Sequence, residues 1–584
     1  MKLTTATLLA AALATIAAQG RGQSTPSYQP FQHIVIIVQE NRTPDNLFQG
    51  LCQPPFGSIL SCNTQGQAGK YNIAQISAGP WPDETVWLHT PSGGSYNSVS
   101  PAPRPLGISW DPSHTHTDFQ AMCCNGATSE SCPAPKLPAL PPPKPPYVKP
   151  TTGSLPPCTN GGAAKVGCDS GNNCPSMQSF SFVCNDDSGG TACPGTPPPC
   201  GTPSTICTLD PYLTLATQYG FANYMFQTNQ GPSFAAHQFL YGGTSAPSAP
   251  TPSKPTLPND DGKAIFASEL PNKASTNNAP FQVGCSTNAK AQASSLPTSQ
   301  QPGAVEWIFP TGEEVWESCK GKNPPCGSCF EHNVMSDLLE LRSLKWKYYA
   351  PQATDSFWVA PNAIEHVCKA GGTDRCHFPS NVDLTPTTVE NQQHVLTDIN
   401  NCALPSVSWV IPAGQYSDHA GSTENTEGPS WVAAIVNAIG KQPKCPNGET
   451  YWYDTAIVIT WDDWGGWYDH ESPPQLPLPQ GYYQYGFRVP LLVVSAQTVP
   501  GTVSNKICDF GSILRFVETN FNIPPVTGAT QGLGFADQRS AKQGFSDLSE
   551  FFNTSGRPFT VVAAQLDADF FLADQRGPTP PDTD

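Results

Sequence analysis

Charge is scarce in this chain of 584 residues: 13% are charged, and 29 Lys and Arg stand against 46 Asp and Glu. The net charge of −17 and a pI near 5.0 repel a phosphate backbone, which argues against a dedicated nucleic-acid binder. Long apolar runs are also missing beyond the N-terminus, so no later segment is expected to cross a bilayer as a helix. Internal repeats are absent, and histidines number only 11.

The chain is instead rich in breakers and thiols. Its 64 prolines and 49 glycines predict much loop and little long helix, while 13 tryptophans and several apolar runs remain to build a core. At the start, Lys2 precedes a short apolar stretch from Leu3 to Ala18, then Gln19, Gly20 and Arg21. A basic start, a short apolar centre and small residues at its end read as a secretory signal over residues 1–22. Export makes disulfides the expected state of the 21 cysteines, and the odd total leaves at least one unpaired, or one paired between chains. The Cys-Gly-Ser-Cys run 326–329 reads as ordinary disulfide cysteines, with no second pair at zinc-finger spacing beside it.

Two kinds of sequence alternate after the signal. Apolar β-branched runs at His33–Val38, Ala456–Trp461 and Val489–Val494 suit strands buried on both faces, as in parallel sheets covered by helices. Helices are predicted over Thr208–Tyr219, Ser336–Ser343, Ser430–Ile439 and Gly511–Thr519. Together these indicate an α/β core spanning residues 23–550. Residues 122–207 carry ten cysteines and a proline run, and read as a loop-rich, disulfide-held insertion. A second polar, Pro-rich insertion spans 245–301, and residues 551–584 read as a C-terminal tail.

Two predicted strands end in the same chemistry. The first delivers Glu40-Asn41 and the second Asp462-Asp463, followed by Gly465-Gly466. Ligand crevices in open α/β sheets lie beyond the carboxyl ends of strands. Adjacent carboxylates repel unless a cation or proton sits between them, and an all-oxygen set favours Ca²⁺, Mg²⁺ or Mn²⁺. A solvated turn is the plain alternative for Asp462-Asp463. The same polar punctuation after two buried strands weighs against it. Gly231-Pro232 makes a turn before Ser233, whose hydroxyl becomes an effective nucleophile beside a cation. By itself that serine is equally a turn or helix-cap residue. His114, His116, His419 and His470 sit in Asp-, Ser- and Gly-containing loops, where each can serve a phosphoryl group or a structural hydrogen bond. His237 and His366 read as packing residues; Trp461, Trp464, Trp467 and Tyr468 read as packing first, with contact to an apolar leaving group as the alternative.

The run from His33 to Phe48 resembles the opening motif of the bacterial phosphoesterase family, which unites phospholipases C with a type of acid phosphatase. Pro405–Pro412, Gly428–Val432, Asp454–His470, Tyr485–Pro490 and Ser512–Glu518 are similar to later family motifs, in the expected order. The resemblance implies an alkaline-phosphatase-like fold with a mostly parallel central sheet. It further implies one divalent metal ion held by Glu40, Asn41, Asp462, Asp463 and the nucleophile Ser233, with His114 and His419 on the phosphate. A phosphoserine intermediate and a phosphoester substrate, a phospholipid among the candidates, follow from the same resemblance. The chain departs from the family where a Pro-Asn pair follows the nucleophile, since Ala236-His237 stands there. A sulfatase-like hydrolase is disfavoured, because the Pro and Arg of the formylglycine motif are missing after Ser233. A secreted binding protein that keeps a phosphoesterase-like core is the non-enzymatic alternative. Substrate, metal identity, disulfide pairing and oligomeric state stay open at this level.

Overall fold

The computed structural model describes residues 28–76, 101–112, 114, 159–160, 163–164, 177–193, 200–202, 204–229, 233–243, 334–351, 359–364, 367, 382–384, 394–471, 473–474, 485–523 and 544–577. The signal segment, His116, His366, the 245–301 insertion and the 326–329 cysteine pair lie outside these residues, as does most of 122–176.

Eight strands form the central sheet: β1 (His33–Gln39), β2 (Gly220–Phe226), β3 (Trp346–Ala350), β4 (Val382–Leu384), β5 (Val407–Val410), β6 (Thr455–Trp461), β7 (Leu491–Val494) and β8 (Thr502–Asp509). Their spatial order is β8-β2-β7-β6-β1-β5-β3-β4. Every pairing is parallel except the two made by β7, which runs antiparallel to both β6 and β2. The expected mostly parallel α/β sheet is therefore present. The apolar run that becomes β7 told of burial on both faces, which an antiparallel strand inside a covered sheet satisfies equally well.

Burial explains why these runs are strands. All seven residues of β1 and of β6 are buried, and Ile34, Val35, Ile36, Ile37 and Val38 are wholly inaccessible. Full burial of each such side chain stabilises the fold by about 1.5–3 kcal/mol. Helices cover the sheet: α1 (Pro44–Leu47), α2 (Asp210–Gln218), α3 (Ser233–Gly242), α4 (Met335–Leu341), α5 (His394–Asn400), α6 (Gly428–Lys441) and α7 (Phe510–Asn520). Local chemistry sets several starts. Thr43 caps α1 by accepting from the Asn46 N–H ahead of Pro44, and Asp509 accepts from Ser512 N–H at 2.9 Å to cap α7.

Four disulfides join described cysteines: Cys52–Cys62, Cys184–Cys193, Cys200–Cys207 and Cys402–Cys445. Cys508 is buried with a free thiol, whose pKa burial pushes well above the usual value. Two disulfides close small loops inside the 122–207 insertion. That segment also holds a short strand, Ser181–Val183, paired in parallel with Ala102–Arg104, where no regular sheet is expected from composition. Residues 551–577, read from sequence as tail, pack on the fold. Phe571 is buried against Tyr416 and Trp431, Trp452 packs on Phe559, and the Arg557 guanidinium lies over the Tyr219 ring at 3.9 Å.

Candidate active site

The register of the sheet assembles the site. β1 and β6 are adjacent and parallel, with Gln39 opposite Trp461, so the next residues, Glu40 and Asp462, emerge side by side. The ladder runs one step further, the Asp462 N–H donating to Gln39 O at 3.0 Å. β5 flanks β1 on its other side and leads to Asp418 and His419, while β2 leads towards Ser233 at the first residue of α3. Because β2, β5, β6 and β1 all point the same way, their carboxyl ends share one edge of the sheet.

Asn41 is the hinge of this arrangement. Its φ of 60° is left-handed, a region asparagine tolerates better than most residues. In that pose its N–H donates to Asp462 Oδ1 at 3.0 Å, its Nδ2 lies 3.2 Å from His114 Nε2, and its Oδ1 accepts from Ser233 Oγ at 3.4 Å. Ser233 Oγ also donates to Asp463 Oδ2 at 3.0 Å. The two glycines after the aspartates permit this closeness. A Cβ on Gly465 would meet Asn41 O at 2.4 Å, and one on Gly466 would meet Pro112 at 2.6 Å. Both glycines also have positive φ.

The histidines divide. His114 Nδ1 faces Pro112 O at 3.0 Å, which places the ring hydrogen on Nδ1 and leaves Nε2 to accept from Asn41. The His419 ring lies 6.0 Å from the His114 ring, and its Nδ1 donates to Ala420 O. His470 belongs elsewhere. It joins a buried network in which Arg488 binds Asp469 at 2.8 and 2.9 Å, and His470 binds Asp45 at 2.6 Å and Asn72 at 2.9 Å. Burial pushes Asp469 up to about 6 against the pull of Arg488, whereas His470 and Arg488 hold Asp45 below its ordinary value despite its burial. This is a structural clamp beneath the site.

His237 is the residue that sequence reasoning missed. Its Nε2 lies 3.5 Å from Glu40 Oε1 and 3.4 Å from Asp462 Oδ2, and these three donors fall within 4.8 Å of one another. The spacing becomes a signal only once a helix is known to begin at Ser233, since the two residues are then one turn apart on the same face. Burial raises the Asp462 pKa, but the facing His237, the Ser233 hydroxyl and the Asn41 N–H outweigh it and hold the carboxyl at about 2. Asp462 Oδ2 is buried with no hydrogen-bond partner among the described residues. An ionised oxygen so placed is costly without a positive neighbour, and the donor set around it fits a divalent cation.

Behind the site, Arg42 is fully buried. It donates to Asp418 O, Asn46 Oδ1 and Leu106 O, and lies 5.0 Å from the centre of the Trp467 ring. Burial lowers its pKa to about 10, partly offset by Asp418 and Asp111. Trp461, Trp464, Trp467 and Tyr468 are all buried as packing residues; Trp461 Nε1 also donates to Asp418 Oδ2 at 2.9 Å.

Fold and site together define an α/β protein with a helix-borne serine facing paired carboxylates at the sheet's C-terminal edge. The model of the Phosphoesterase family matches residues 207–524, more than half of the chain, and the chain belongs to that family. Glu40, Asn41 and His114 lie before the matched segment; β1 brings the first two to it, and His114 meets them through Asn41. Non-hemolytic phospholipase C of Burkholderia pseudomallei is 30% identical over 171 residues, covering 26% of this chain and 23% of that protein. Non-hemolytic phospholipase C of Pseudomonas aeruginosa is 26% identical over 296 residues, 45% of this chain and 40% of the relative. Phospholipase C B of Mycobacterium tuberculosis is 25% identical over 241 residues, 37% and 44% of the two chains. Each match therefore spans less than half the length of the curated relative.

Proposed function

We propose that this chain is an exported, metal-dependent phosphoester hydrolase of the phospholipase C or acid phosphatase type, with Ser233 as nucleophile. The observation that carries the proposal is the placement of Ser233 Oγ, 3.0 Å from Asp463 and 3.4 Å from Asn41, beside the Glu40–Asp462 pair. Family membership supplies the reaction class, and the relatives' names favour a phospholipid over a simple monoester. Four disulfides among the described residues support an oxidising compartment. No described helix is long and apolar enough to cross a membrane.

Glu40, Asn41, Asp462, Asp463 and Ser233 would hold the cation, which when bound favours the deprotonated serine oxygen and withdraws charge from the phosphoryl group. Ser233 Oγ gives its hydrogen to Asp463 Oδ2 and bonds to phosphorus as the bond to the leaving oxygen breaks. His114 and His419 lie on the Asn41 side of the serine with Nδ1 committed to a backbone carbonyl, so they act as imidazolium groups. Each donates from Nε2 to a phosphoryl oxygen, and one gives that hydrogen to the leaving oxygen. Water then attacks the phosphoserine and gives a hydrogen back to the histidine, while the P–Oγ bond breaks and Ser233 Oγ recovers its hydrogen from Asp463; a phosphomonoester leaves from a lipid substrate, or inorganic phosphate from a monoester. Alignment and charge stabilisation account for most of the acceleration.

Purified mature protein assayed on p-nitrophenylphosphorylcholine and p-nitrophenyl phosphate, with Ca²⁺ or Mn²⁺ and then with EDTA, tests this. Chelator-sensitive release from the choline ester supports the phospholipase C reading, and release from the monoester alone supports the phosphatase. Full activity in Ser233→Ala would remove the serine from its role, and inertness towards both esters and phosphatidylcholine vesicles would favour the non-enzymatic reading.

A further inference from the structure

The geometry points to His237 as an additional cation ligand, binding through Nε2 beside Glu40 and Asp462. The inference rests on the metal-dependent reading above and deepens it. The imidazole is fully buried, and among the described residues neither ring nitrogen has a hydrogen-bond partner. A buried polar group left so costs roughly 1–3 kcal/mol, and a neutral imidazole has both a donor and an acceptor to satisfy. Among the described residues, the carboxylates within ion-pair distance of Nε2 are those of Glu40 and Asp462, at 3.5 and 3.4 Å. Donors held about 2.1 Å from one ion stand roughly 3.0–3.4 Å apart in octahedral and tetrahedral arrangements, so small shifts would let all three bind together.

The position on α3 gives the ligand a second consequence. Ser233 and His237 project from one turn of one buried helix, so the distance between nucleophile and cation is set by helix geometry rather than by a loop. An imidazole nitrogen also moves the preference of an oxygen site from Ca²⁺ and Mg²⁺ towards Mn²⁺, Fe²⁺ or Zn²⁺. The metal preference expected from the oxygen donors alone is thereby narrowed to the first-row ions.

Equilibrium dialysis with Mn²⁺ followed by pulsed EPR decides this independently of turnover. Wild-type protein is expected to bind Mn²⁺ and show nitrogen modulation from a coordinated imidazole. His237→Gln is expected to lose that modulation and bind Mn²⁺ about 10-fold or more weakly, with an unchanged circular dichroism spectrum. His114→Gln should retain the nitrogen signal. Bound Mn²⁺ without nitrogen modulation in the wild type, or modulation that survives in His237→Gln, overturns the assignment while leaving a metal site in place. Should His237→Gln not fold, His114→Gln and His419→Gln decide: a signal surviving both leaves His237 as its source, and loss in either overturns it. A wild-type protein that binds no Mn²⁺, Zn²⁺ or Ca²⁺ and hydrolyses esters in EDTA overturns the metal reading and this inference with it.

Discussion

Replacing Gly465 by alanine perturbs the site through one added methyl group. The φ of Gly465 is +59°, which costs an L-residue about 1–2 kcal/mol. Its new Cβ would lie 2.4 Å from Asn41 O and 2.6 Å from Asn41 Cβ, so backbone must move by roughly an ångström to reach ordinary contact. Overpacking of this kind costs about 1–3 kcal/mol, for a total of about 2–5 kcal/mol of stability. The displaced residue is the one that touches Asp462, His114 and Ser233 together. Misplacing such a group by an ångström lowers turnover by about 100-fold. Gly69→Ala is the matched control, since its φ is +70° and no atom lies within 4 Å of the added Cβ. It should lose only about 1–2 kcal/mol and no activity. Urea unfolding and hydrolysis of p-nitrophenylphosphorylcholine should be measured on both variants. Equal behaviour of the two would refute the reasoning, and lost stability with intact turnover would refute the link to Asn41.

Other parts of the structure give separate tests. Arg488→Met leaves Asp45 and Asp469 buried without their guanidinium and should destabilise the protein by about 3–5 kcal/mol, read as a lower urea midpoint. Burial raises Asp418 to about 6, against Arg42, Tyr212 and Trp461. A raised carboxyl means the folded state binds more protons between about pH 4 and 6, so this group's contribution falls as pH rises through that window. Asp418→Asn should remove that slope, gaining up to about 3 kcal/mol relative to wild type between pH 4 and 7 in urea melts. Reducing Cys402–Cys445, which closes a separation of 43 residues, should cost up to about 4 kcal/mol, and alkylation after selective reduction followed by thermal unfolding measures it.

The legible strands were those with unbroken apolar runs: His33–Gln39, Thr455–Trp461 and Leu491–Val494 carry little else. Gly220–Phe226 and Thr502–Asp509 escaped because Gly220, Asn223, Asn505 and Lys506 interrupt any strand pattern. Asn223 and Asn505 are satisfied by tertiary partners that no local window contains. Asn223 Nδ2, for instance, donates to Lys70 O and Asn505 Oδ1, and its Oδ1 accepts from the Asn72 N–H. Helix α6 was legible from Gly428-Pro429 and its apolar spacing, yet the need for glycine there was not. It lies in a contact with Asp418, ten residues earlier, that a Cβ would enter at 2.1 Å.

The candidate site follows the same division. Paired polar residues directly after a buried strand can be recognised locally, because a strand's end and a carboxylate's aversion to burial are both local facts. Glu40-Asn41 and Asp462-Asp463 were visible for that reason, and their meeting depends only on β1 lying in register beside β6. His237 required knowledge that a helix begins at Ser233. All ten residues of that helix are buried, so it has no polar face and no amphipathic stripe to announce it. Without a helix there is no reason to place residues 233 and 237 on one face, and an isolated histidine among Ala235, Ala236 and Phe239 reads as core. The same burial that hid the helix gives it its use: a segment enclosed on every side holds Ser233 Oγ and His237 Nε2 in fixed relation to Asp463 and Asp462.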